Sequence, residues 1–202
     1  LFLDFFDLPR GSFADREGVY QSYTLGTPGR RTKIILMDLR YNMDRRRTER
    51  ELLGEDQWRW LHREVADQSY DLLILGSSLS MTSNLVGFGL EGWAAFGAER
   101  LRLLDLVAAV DKPTLVISGD RHQSDISTVE LPNGKLLYEF MSSGLTHSTP
   151  IYLPHESRVS RLITDHNFGV ISIDWMEPAP SLLLQIKAPQ SGEVLEEKRI
   201  LL

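Results

Sequence analysis

Three short apolar runs, 33–38 (KIILMD), 71–78 (DLLILGSS) and 114–118 (TLVIS), constrain this chain more than anything else in it. Each is strand-length, rich in Ile, Leu and Val, and reads as a buried strand. Helical patterns lie between them. The tetrapeptide Gly54-Glu55-Asp56-Gln57 opens a helix with Trp58, Leu61 and Val65 on one face, and a second amphipathic stretch covers 98–110. After residue 124 only strands follow. Runs 125–131 and 135–141 flank Pro132-Asn133-Gly134, a hairpin signal because Asn-Gly accepts the positive φ of a tight turn. Runs 168–175, 181–188 and 194–202 alternate in the manner of an antiparallel meander. The simplest architecture is a mixed pair of sheets flanked by helices, with strand tips carrying the chemistry.

The remaining stretches are connections. Residues 1–17 form an aromatic-rich lead-in, irregular or a short helix, before a strand at 18–25 and a turn at 26–29. Long loops reach to about residue 92 and from 142 to 165, and loops of that length are commonly functional. A chain of 202 residues buries a full core, as one domain or most of one. The net charge of −6 gives no reason to expect nucleic acid as a stable partner. With no Cys, neither a disulfide framework nor a thiolate ligand is available. No apolar run is long enough for a transmembrane helix. The chain starts Leu-Phe-Leu-Asp-Phe-Phe, without Met or a signal pattern, and reads as a mature or truncated piece.

The third apolar run ends in Ser118-Gly119-Asp120-Arg121-His122. Gly119 permits a sharp turn, and Asp120 and His122 offer an oxygen and a nitrogen donor suited to a transition metal or mixed-metal centre. Arg121 adds a planar cation suited to phosphate oxygens. The same five residues also fit a capped turn with an incidental His. Asp38 and Arg40 end the first run, as a strand-end brace or with Arg40 orienting a phosphate. His147, in a Ser- and Gly-rich loop, either lines a site or packs the loop. Asn167 caps the last strands or reaches the site. Gln57 and Trp58 serve capping and core packing, and at least one of Tyr20 and Tyr23 is core. Asn84 and Trp93 are candidates for a pocket rim. His62 reads as a surface residue, and His155 and His166 have no supporting spacing. Arg45, Arg46 and Arg47 form a solvated basic loop or attract an anionic substrate. No nucleophile elbow, phosphate-binding loop or dinucleotide fingerprint occurs.

The ordered blocks FLDFFDLP…REGVYQSYTLG, KIILMDLRY, LLGEDQWRWL, VISGDRH and LYEFMSSGLTHS, from about Phe2 to His147, resemble the PhoD-like alkaline phosphatase family. HNFGVISID resembles the family's closing strand. The resemblance implies a metallophosphatase-like α/β fold, a two-sheet sandwich flanked by helices with a metal centre at the strand tips. It implies hydrolysis of phosphate monoesters or diesters by a metal-bound hydroxide, with Ca²⁺ and Fe³⁺ or other divalent ions as cofactors. By the resemblance Asp120 and His122 would be late metal ligands, and Arg121 either meets the substrate or pairs with a structural carboxylate; His147 and Arg40 are the other candidates around the substrate.

The family's earlier ligand blocks, of the kind Gly-Asp and Trp-Asp-Asp-His-Asp, do not occur, and Asp125 stands where Glu is expected. Residues 1–202 therefore read as the C-terminal portion of one metallophosphatase-like domain: lead-in 1–17, α/β part 18–124, mainly antiparallel strands 125–202. An N-terminal segment or chain of the same protein is the expected partner, beside a phosphate-ester substrate. Family habit implies export to the periplasm, cell surface or medium. The alternative is a non-catalytic fragment or degenerate relative that serves as a binding or structural chain.

Overall fold

The computed structural model describes residues 2–6, 13, 16–44, 50–84, 91–152, 155–176 and 180–202. The basic cluster Arg45 to Arg47 lies outside them. In chain order the elements are α1 (Phe2–Phe5), β1 (Gln21–Leu25), β2 (Thr32–Leu36), α2 (Glu55–Ala66), β3 (Leu72–Gly76), α3 (Gly97–Ala108), β4 (Thr114–Ser118), β5 (Ser124–Glu130), β6 (Leu136–Ser142), β7 (Phe168–Asp174), β8 (Ser181–Lys187) and β9 (Val194–Leu201). A 3₁₀ turn at Trp93–Ala95 leads into α3.

Six strands form one sheet in the order β1-β2-β3-β4-β6-β5, and β7-β8-β9 form a second, antiparallel sheet. Strands β2, β3, β4 and β6 run parallel, while β1 and β5 pair antiparallel at the two edges. The central strands are buried on both faces because alternate side chains face different layers. Ile35, Leu73, Leu75, Val116 and Leu137 pack with Trp58, Leu61, Leu103 and Val107 of the helices. Their neighbours Leu72, Ile74, Leu115 and Phe140 face Leu182, Leu184, Ile186 and Ile200 of the second sheet. A one-residue slip would exchange the two sets, so both layers set the register.

The hairpin forms where Asn-Gly predicts it: Gly134 has φ 81° and its N–H reaches the Leu131 carbonyl at 2.8 Å. It joins the main sheet, with β6 antiparallel to β5 and parallel to β4. The side chains decide this, since Leu137 continues the helix-facing layer and Phe140 the other. The 142–165 connection also carries more order than a loop. It bridges β5 at Ser124–Ile163 and Ser127–Arg158, satisfying an edge strand that would otherwise be open. Among the described residues no helix is long and apolar enough to cross a membrane.

Candidate active site

Because β2, β3, β4 and β6 are parallel, their C-terminal ends open at one edge of the sheet. Open sheets place ligands there. Asp38 follows β2 and is a brace: its carboxylate accepts from the N–H groups of Val19, Arg40 and Tyr41 at 2.9–3.0 Å. Gln57 does not cap α2. It is fully buried and grips the Asp38 backbone from both sides, accepting from its N–H and donating to its carbonyl, each at 2.8 Å. So braced, Arg40 reaches across to Asp120, with Nη2 3.3 Å from Oδ1, and pairs through Nη1 with Glu91.

Beyond β4 the turn contains two non-glycine residues in the left-handed region, Asp120 at φ 73° and His122 at φ 55°. Such conformations cost energy and persist where surrounding structure imposes them. The neighbouring loop is stapled to this turn. Thr149 N–H donates to the His122 carbonyl at 3.0 Å, and Gln123 Nε2 donates to the Thr149 carbonyl at 2.7 Å. The staple brings the His147 ring within 5.7 Å of the His122 ring, centroid to centroid. Asn167, also fully buried, is a brace at the end of β6, accepting from Ser124 and Ser142 hydroxyls and donating to the Asp165 carbonyl. A Cβ at Gly144 would come within 2.3 Å of its Nδ2, so only glycine fits there.

Arg121 does not accompany Asp120 and His122 outward. Its Nε and Nη2 atoms are buried without a hydrogen-bond partner. Burial lowers its pKa, opposed chiefly by the charges of Glu139 and Asp125. Glu139 is fully buried and accepts from the N–H groups of Met81 (3.0 Å) and Thr82 (2.7 Å), from the Thr82 hydroxyl, and from Ser80 at 3.3 Å. Asp125 is fully buried against His155 (3.3 Å) and Arg158 (2.8 Å). Burial acts to raise its pKa, but hydrogen bonds from His155 and Arg158 outweigh that and hold it below the ordinary Asp value.

Sequence reasoning missed Glu139, Arg100 and His155 as structural groups. Arg100 holds the Met81 and Thr82 carbonyls and Asn84, fastening the 77–84 loop from the helix side. The one available signal was a lone carboxylate inside the apolar run LLYEFM. Trp93 is core and not rim: it is fully buried with Nε1 on the Ser77 hydroxyl at 3.0 Å. Tyr20 is buried while Tyr23 is exposed. A cavity of about 400 Å³ opens beside the turn, between the sheets, with Ser77 and Ser118 against Leu36, Ile117 and Ile171.

Among the described residues no three His, Asp or Glu side chains gather into a set able to hold a metal ion. Asp120 is paired with Arg40, and His122 and His147 supply two imidazoles. A metal takes about four or more donors, so these residues alone do not fit a metal pair.

Among solved structures the chain is similar to PhoD, with TM-score 0.57 and 16% identity over 96% of this chain and 45% of that one. It is similar to GAP50, the anchor in the inner membrane complex of Plasmodium, with TM-score 0.58 and 15% identity over 93% and 55% of the two chains. For purple acid phosphatase PPD1 from yellow lupin (Lupinus luteus) the values are 0.55 and 18%, over 89% and 32%. At these identities the likeness is one of fold, and the chain spans about half or less of each. A search of curated proteins finds no match. The model of the PhoD-like phosphatase family matches residues 10–167. That span holds the Asp38 brace, the strained turn, the His147 loop and Asn167, and the chain belongs to the PhoD-like phosphatase family.

Proposed function

We propose that this chain is part of a phosphate-ester hydrolase, contributing the late half of a metal-dependent site. One observation carries the reading: a strained turn at the end of a central parallel strand presents Asp120 and His122 beside His147 and Arg40. Strain at a strand tip is a pointer to function, because a structural turn at that place would be relieved by glycine. Asp120 and His122 are the ligands this reading assigns. Arg40 and His147 would meet the ester's phosphate oxygens. Arg40 is half-exposed and held by two carboxylates, so its fork is oriented at the tip. The metals, Ca²⁺ with Fe³⁺ or other divalent ions, would lower the pKa of a bound water and neutralise phosphate charge. The remaining donors would come from an N-terminal segment or chain of the same protein, and export is the expected setting.

The direct test compares the full-length protein with Asp120→Ala and His122→Ala, measuring bound metal by mass spectrometry and hydrolysis of p-nitrophenyl phosphate and its diester. Each variant is expected to lose bound metal and at least about a hundredfold in rate. Unchanged metal content and unchanged rates sink the reading. A second reading, a non-catalytic binding or structural chain, draws on the incomplete donor set among the described residues and on the likeness to GAP50, the anchor in the inner membrane complex of Plasmodium. A full-length protein that holds no metal and hydrolyses neither ester would establish it.

A further inference from the structure

No motif singles out Glu91, yet its carboxylate is one of two that pair with Arg40 at the tip. Asp120 approaches Nη2 at 3.3 Å, whereas Glu91 takes Nη1. The Arg40 side chain is half-exposed, and an ion pair in such a place does little by itself. Its geometry is fixed by the backing on both sides. Two residues beyond Glu91, Trp93 is fully buried, with its N–H on the Ser80 carbonyl and its Nε1 on the Ser77 hydroxyl, each at 3.0 Å. The Ser77 N–H in turn donates to the Ile117 carbonyl of β4 at 2.9 Å. On the other side the Arg40 N–H donates to the Asp38 carboxylate at 2.9 Å. Glu91 therefore reaches Arg40 from anchored backbone, with most of its side chain covered.

We propose that Glu91 is a specificity-determining residue, whose charge offsets that of Arg40 and makes the tip discriminate against doubly charged phosphate groups in favour of singly charged ones. The inference rests on the proposed function, in which Arg40 meets the ester's phosphate oxygens. A guanidinium has five N–H donors, so pairing with two carboxylates leaves donors over for a phosphate oxygen. Hydrogen bonding is kept while the positive charge is not, because one cation beside two carboxylates leaves the group negative. A phosphate monoester carries about two negative charges above neutral pH, and a diester carries one. Coulomb repulsion grows in proportion to the charge on the ligand, so the Glu91 carboxylate penalises the monoester more. Asp120 is assigned as a ligand, which leaves Glu91 as the residue that sets this preference through Arg40.

Glu91→Gln keeps an acceptor for Arg40 Nη1 and removes the charge, so it separates repulsion from orientation. Two probes of nearly equal size and without an ester bond are compared by calorimetry on the full-length protein at mildly alkaline pH. Phenylphosphonate is doubly charged there, and methylphenylphosphinate is singly charged. Glu91→Gln is expected to tighten phenylphosphonate by about fivefold relative to the phosphinate. The gain should shrink at high salt, because the pair is partly exposed. The ratio of kcat/KM for p-nitrophenyl phosphate to that for its diester should rise by a similar factor. Equal changes for the two probes, or a gain confined to the phosphinate, overturn the proposal. So does a wild type that binds neither probe, or an Arg40→Ala variant that weakens neither. Should Glu91→Gln fail to fold, Glu91→Ala takes its place with the same expected shift in ratio, since a loss of orientation common to both probes cancels. If Asp120→Ala leaves hydrolysis intact, the functional reading fails, while the probe comparison needs no turnover and still decides the role of Glu91.

Discussion

Glu139 shows how much one buried side chain can organise. It lies within an apolar strand, and four donors from the 80–82 stretch converge on its two oxygens. Glu139→Ala would strand those donors, and we expect a loss of about 3 kcal/mol or more in urea unfolding. A loss near zero would mean the loop finds other partners. Asp67 behaves differently because it is partly exposed. The Ser69 backbone N–H, followed by Lys33 and the Ser69 hydroxyl, holds its carboxyl down to about 2. A pKa lowered in the folded state adds stability that is present above the ordinary Asp value and is lost as pH falls towards about 2. Lys33→Met should move the Asp67 side-chain carbon titration upward, and an unmoved curve would assign the shift to Ser69 alone. Burial pushes Tyr70 the other way, to about 12. Its raised value means stability falls as pH climbs above 10, and absorbance at 295 nm should show a late tyrosine ionisation that Tyr70→Phe reduces.

At the scale of elements, α2 depends on its buried face and not on its start. Gly54 at its N-cap has φ 76° and makes no side-chain cap, and a Cβ there would meet the Asn42 side chain at 2.6 Å. Trp58 is fully buried and its Nε1 donates to both oxygens of Glu99 at 3.0 Å. Trp58→Phe keeps most of the packing and should cost about 1–3 kcal/mol, mainly from the lost hydrogen bond to Glu99, which keeps the Leu52 and Leu53 N–H donors. Trp58→Ala opens a cavity as well and should cost about 3–5 kcal/mol. Equal losses for the two, measured by chemical denaturation, would show that packing is not what holds the helix. The elements most legible beforehand were those with a strong local signal. The Asn-Gly hairpin, the Trp58, Leu61, Val65 face and the last three strands all form as their patterns predict. The 142–165 stretch was not legible as an edge cover, because its pairing with β5 is irregular and its sequence has no alternation.

For the molecule as a whole, the six-stranded sheet is shared between two cores, one under the helices and one under the second sheet. A shared sheet couples them, so unfolding should be a single cooperative transition. Leu184 is fully buried in the second-sheet core, against which Trp175 also packs, whereas Trp58, Trp60 and Trp93 lie in the helix-side core, so a Trp175→Phe background leaves tryptophan fluorescence to report that core. Leu184→Ala should cost about 2–5 kcal/mol and shift the tryptophan fluorescence and far-ultraviolet circular dichroism midpoints together. Separate midpoints would mean that the two layers unfold independently.

The sequence by itself determined where strands and helices form and which tip bears Asp120 and His122. Those signals are local: a period of two or 3.6, a turn residue, and five blocks in family order. Only the tertiary structure decided which tips meet. Parallel pairing of β2 with β3, β3 with β4 and β4 with β6 brings residues 40, 120 and 147 to one edge, although about 80 residues separate the first two. It also decided that Asp38, Gln57 and Asn167 are braces, and that Nε and Nη2 of Arg121 are buried. Whether a polar side chain faces water or the interior depends on neighbours far along the chain, and no local pattern records them.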